Sequence, residues 1–169
     1  MEGNKKFVVD QGGSARGANI SPEEVNQAVK DIVNWQKTGI PGFVPTQGLN
    51  EVPENMHRIV GLMLKQHNGG INLQETFITL SLNQIRESAE LCRVSIHWNA
   101  SYIPFARNAE GEYFIVNTEN GEVIQWNLDS GVVDQLCKSL ELYLETFRNN
   151  LLCRKLQYLG PDCGLIESV

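Results

Sequence analysis

The chain has 169 residues, 41% of them hydrophobic, enough to bury one core and short enough that a single domain is expected. Its 14 basic and 20 acidic side chains give a net charge of −6, which argues against a grip on phosphate backbones or an anionic membrane face. No apolar run approaches the roughly 20 residues that span a bilayer. The opening "MEGNKKFVVDQGGSARG" also lacks the apolar core of a secretory leader, so a cytoplasmic protein is expected.

Residues 1–19 read as a tail, rich in Gly, Ser and charge, in which only Phe7–Val9 could anchor to anything. At Ile20 the character changes. Ser21 with Glu24 makes a capping box, Pro22 suits the first helical position, and Ile20 with Val25 has staple spacing. The spacing of Val25, Ala28, Val29, Ile32 and Val33 predicts a helix that Gly39 stops. "IPGFVPTQGLNEVPENM" is too broken for a regular element and too apolar for a solvated linker, so it should lie packed across the domain. Pro53 is expected to open a second helix with Met56, Ile59, Val60 and Met63 on one face, ended by Asn68–Gly70.

Phe77–Leu80 reads as a short strand, and Ser81 with Gln84 repeats the capping box before a third helix to about Cys92. Strands are expected at Val94–Trp98, Ile103–Ala106, Tyr113–Val116 and Val123–Trp126, the last two joined by a turn at Asn120-Gly121. Within them Ile103, Phe105, Phe114 and Val116 should face inward. Val133, Leu136, Leu140, Tyr143 or Leu144, Phe147 and Leu151 form a helical stripe, so a closing helix is expected on the sheet. The order gives an α+β domain over residues 20–152, a mixed, mainly antiparallel sheet with helices on one side, and a C-terminal extension at 153–169.

The chemistry-bearing residues point to binding rather than catalysis. Arg107, Asn108, Glu110, Glu112 and Asp129 could serve as acid and base in a cleft, but no nucleophile is paired with them. His57, His67 and His97 lack ligand spacing, with His67 at a helix end that favours a cation and His97 in a strand. Cys92, Cys137, Cys153 and Cys163 form no C-x-x-C pair and should be buried free thiols. No metal, no cofactor and no catalytic residue is therefore expected. Trp98 and Tyr102, flanking the polar turn Asn99-Ala100-Ser101, are the aromatic pair expected to reach the surface.

Three stretches, taken in order, carry a resemblance. "GLNEVPENMHRIVGLMLKQHNGG" gives a helix ending in an Asn-Gly turn, "ITLSLNQI" a strand and short helix, and "WNASYIPFARNAEGEYFIVNTENGEVIQW" a strand leading into a hairpin. Together they resemble the SUKH superfamily of fungal cell-wall-assembly and glucan-synthesis regulators and bacterial toxin-immunity proteins, over roughly residues 20–152. The resemblance implies a SUKH-like fold and a non-catalytic protein-binding module, an adaptor, regulatory or structural subunit of a larger complex. The alternative it implies is an immunity protein that neutralises a toxin enzyme. The expected partner is a protein, not nucleic acid or membrane, and the expected contact residues are Trp98, Tyr102, Arg107, Asn108 and Glu110.

Overall fold

A computed structural model describes residues 20–169; the expected tail, with Phe7–Val9, lies outside them. Helix α1 (Pro22–Gly39) begins with the capping box the sequence encodes: Glu24 N–H donates to Ser21 Oγ, and Ser21 N–H to Glu24 Oε1. Its inward stripe of Val25, Ala28, Val29 and Ile32 is buried. The following segment, residues 40–56, runs across the domain as an irregular strap, hydrogen-bonded through Leu49 N–H to the Leu64 carbonyl and through the Gln47 carbonyl to Asn68 N–H.

Helix α2 is Arg58–Gln66, so Pro53 does not open it. Met56 N–H instead closes a turn on the Pro53 carbonyl, and the helix is capped by His57, whose Nδ1 accepts from the Ile59 and Val60 N–H groups. A histidine ring performs here what Ser, Thr, Asp or Asn ordinarily do at an N-cap. Strand β1 (Ile78–Thr79) leads to α3 (Leu82–Cys92), where Ser81 and Gln84 form the second capping box.

A meander follows: β2 (Tyr102–Arg107), β3 (Tyr113–Asn117), β4 (Val123–Asn127) and β5 (Gly131–Cys137), giving sheet order β1-β2-β3-β4-β5. All of these pairings are antiparallel. The expected strand at Val94–Trp98 is a loop. Ser95 and Trp98 donate back three residues to the Cys92 and Ser95 carbonyls, and the apolar alternation ends in solvent, with Val94 80% and Ile96 93% exposed. His97 accordingly lies in a loop and not in a strand. Val133 and Leu136, assigned from their spacing to the closing helix, belong to β5; helix α4 (Leu140–Leu152) starts only after Ser139, whose Oγ caps it.

The sheet has a core on each face. Helices α1, α2 and α4 share the larger one with Phe77, Phe105, Phe114, Val116 and Val123, while Cys92, Tyr113, Ile115, Ile124 and Trp126 form a smaller one on the opposite side. A register shift between Pro104 and Ala106 puts Phe105 and Ala106 together in the larger core, against strict alternation. Residues 153–169 fold back as a hairpin, β6 (Leu156–Tyr158) and β7 (Leu165–Glu167), with Leu156 and Leu165 in the larger core. Leu165 bridges to Gln74 and Glu75, and Gly164 is left-handed (φ +69°) where an added Cβ would overlap the Glu75 carbonyl.

Candidate functional site

The connection from β2 to β3 is built around Asn108. Its Oδ1 accepts from the Glu110 and Glu112 N–H groups at 3.1 and 2.9 Å, and its Nδ2 donates to Glu112 Oε1 at 3.0 Å. Gly111 supplies the positive φ that closes the turn. Asn108 and Glu112 are thereby committed to holding the loop, while Glu110 projects exposed from its tip.

Arg107, the last residue of β2, stands opposite Ile78 on one side and Tyr113 on the other. Its Nη1 donates to the hydroxyl of buried Ser88 at 3.4 Å. The same contact region holds Cys92 and Tyr113, hydrogen-bonded to each other; burial pushes the Cys92 thiol up to about 11 and raises the Tyr113 phenol. Both groups are therefore neutral at physiological pH, and neither is an activated nucleophile.

Arg107, Asn108, Ala109 and Glu110 form one wall of an open cleft of about 470 Å³. Beside it the cleft is lined by β1 and the start of α3, with apolar Ile78 and Leu80 and polar Thr76 and Gln84. Pro161 and Asp162, from the loop between β6 and β7, complete it. Arg107, Asn108 and Glu110 all line this space, so the structure brings together three of the five expected contact residues.

The other two lie elsewhere. Tyr102 is at the far end of β2, opposite Asn117, and Trp98 meets it edge to face at 5.5 Å. Trp98 also stands edge-on to buried Trp126 at 5.5 Å, so the pair is a half-buried lid on the smaller core. Burial, with Glu122 and Glu119 nearby, raises the Tyr102 phenol. The contributions of Ile78, Pro161 and Asp162 to the cleft were missed from the sequence. Turn composition around Pro161 and Gly164 signals a loop, but nothing local says where that loop docks.

The remaining candidates are held in structural roles. The Asp129 carbonyl lies 3.1 Å from His97 Nε2 in a different turn, two strands from Arg107. His67 is buried and pushed below the ordinary imidazole range by desolvation, so it is not the helix-end cation its position suggested. Cys92 and Cys137 are buried thiols, whereas Cys153 and Cys163 are exposed. Among the described residues, no helix is long and apolar enough to cross a membrane.

A SUKH family model described as SMI1-KNR4 cell-wall matches residues 62–144. The match spans both principal walls of the cleft, from Thr76 through Glu110, and ends before Pro161 and Asp162. Comparison with curated proteins gave no match.

Proposed function

We propose, from the match of residues 62–144 to a SUKH family model, a non-catalytic protein-binding module, an adaptor, regulatory or structural subunit acting in the cytoplasm. Its docking site is the cleft at Arg107, Asn108 and Glu110. The observation that supports this reading is the convergence of three separate segments, 76–84, 107–110 and 161–162, on one open space lined by apolar and polar side chains together. Such a mixture matches the anatomy of a protein interface, in which apolar contact is ringed by polar groups that set orientation. Of the carboxylates a hydrolase could use, Glu112 is bonded inside its own turn and Asp129 belongs to a separate one, which leaves Glu110 and Asp162 in a cleft that no histidine or cysteine lines.

Immunity is the second reading, favoured by the net charge of −6, since an acidic surface can imitate the phosphates a nucleic-acid-directed toxin binds. Affinity capture from the native source, followed by titration of the purified partner, tests both. A regulatory or structural partner supports the first reading, and a toxin enzyme whose activity is blocked supports the second. Binding undiminished by substitutions in the cleft would remove the cleft from either.

A further inference from the structure

One buried ring fastens the strap to the domain. His67 caps the C-terminal end of α2 and is only 3% exposed. Its Nε2 accepts the Thr46 N–H at 2.8 Å, and its Nδ1 lies 2.6 Å from the Gly69 carbonyl. A carbonyl accepts only, so Nδ1 carries the hydrogen and Nε2 is bare. Phe43 stacks on the ring at 5.8 Å and 16°. The other long-range backbone ties of the strap come at Gln47 and Leu49, so among the described residues the long-range hydrogen bond of residues 41–46 is the one to this histidine, beside the packing of half-buried Phe43.

We propose that His67 is an acid-sensitive latch: protonation at Nε2 releases residues 41–46 from α2 while the sheet and helices stay folded. A second N–H on the ring would point at the Thr46 N–H, turning an acceptor into an opposed donor in a buried site. No carboxylate is placed to hold that proton. The strap from 40 to 50, the turn from 68 to 74 and β1 contain no ionisable side chain, and Arg58 and Lys65 of α2 and Arg86 and Glu87 of α3 are exposed. The charge that reaches the ring is Lys37 from the last turn of α1, which disfavours another cation. Release unseats Phe43 and uncovers the ring face on which it stacks.

Amide hydrogen exchange on the full chain between pH 7.5 and 5, corrected for intrinsic rates, reads the latch directly. Protection of the Thr46 amide should fall by up to about tenfold per pH unit below pH 6.5, while the amides of β3 and β4 remain better protected. In His67→Gln, whose amide does not titrate, the fall at Thr46 should disappear. The ring ¹⁵N shifts of the wild type give a check that needs no variant: they should report hydrogen on Nδ1 and a bare Nε2 at pH 7. Constant Thr46 protection, loss in step with β3 and β4, an unchanged slope in His67→Gln, or the opposite tautomer would each overturn the proposal.

Discussion

Phe114 is the residue on which most of the core converges. It is fully buried, stacks on Phe77 at 3.7 Å between ring centroids and meets Phe105 and Tyr143 on other sides. Phe114→Ala should therefore cost on the order of 3–5 kcal/mol in urea denaturation, because rings from β2, α4 and the segment before β1 cannot all close the gap. Arg107 and Glu110 sit a few residues away and should behave oppositely: the double change to alanine should leave stability within about 0.5 kcal/mol. The inward set Phe105, Phe114 and Val116, with half-buried Ile103, was legible from period-two alternation, whereas of the turn residues Glu110 projects while Arg107 bonds Ser88 and Asn108 holds the loop. The outlook of Trp98 and Tyr102 was not, since an aromatic beside a polar turn can cover a second core as readily as meet a partner, and only the sheet's two-sided packing decides.

At the scale of elements, chemistry local to the chain was readable and chemistry supplied from a distance was not. Both capping boxes are where the sequence puts them because donor and acceptor lie three residues apart. Ser81→Ala should cost about 1 kcal/mol, measured by thermal or urea unfolding. The stripe from Val133 to Leu151 misled because buried Leu136 of β5 and exposed Val133 happen to fall in helical register with the buried face of α4, and the boundary is marked only by Ser139. The C-terminal hairpin escaped notice because its strands are three residues long and owe their place to Leu156, Leu165 and the bridge to residues 74–75. Gly164→Ala should therefore destabilise by at least about 1 kcal/mol, since both its positive φ and its closeness to the Glu75 carbonyl exclude a Cβ. Unfolding as readily as wild type would show that the hairpin contributes nothing to the fold.

For the whole molecule, pH provides a test that involves both ends of α2. His57 and His67 each accept backbone N–H bonds through an unprotonated nitrogen, and burial lowers both below the ordinary 6.5; Glu141 opposes the shift at His57. Depressed imidazole values mean that the unfolded chain binds more protons than the native one below about pH 6.5. Their stabilising contribution is thus complete above that pH and declines as pH falls toward the native values. The urea midpoint should drop between pH 7 and 5, and less so in His67→Gln. At the same scale, the α+β order and the SUKH resemblance were legible because the elements come in a recognisable sequence. The cleft was only half so: Arg107, Asn108 and Glu110 were named from a loop, but its lining from β1 and α3 and its C-terminal rim depend on tertiary contacts between segments some 25 to 50 residues distant.

On the proposed function, this cleft is where a protein partner docks. The most direct measurement is a calorimetric titration of the purified natural partner against wild type and the Arg107→Ala, Glu110→Ala double variant, with unfolding curves showing the two equally stable. The variant should lose at least about tenfold in affinity, corresponding to roughly 1.4 kcal/mol. Equal affinity for both proteins would contradict this and place the interface on another surface.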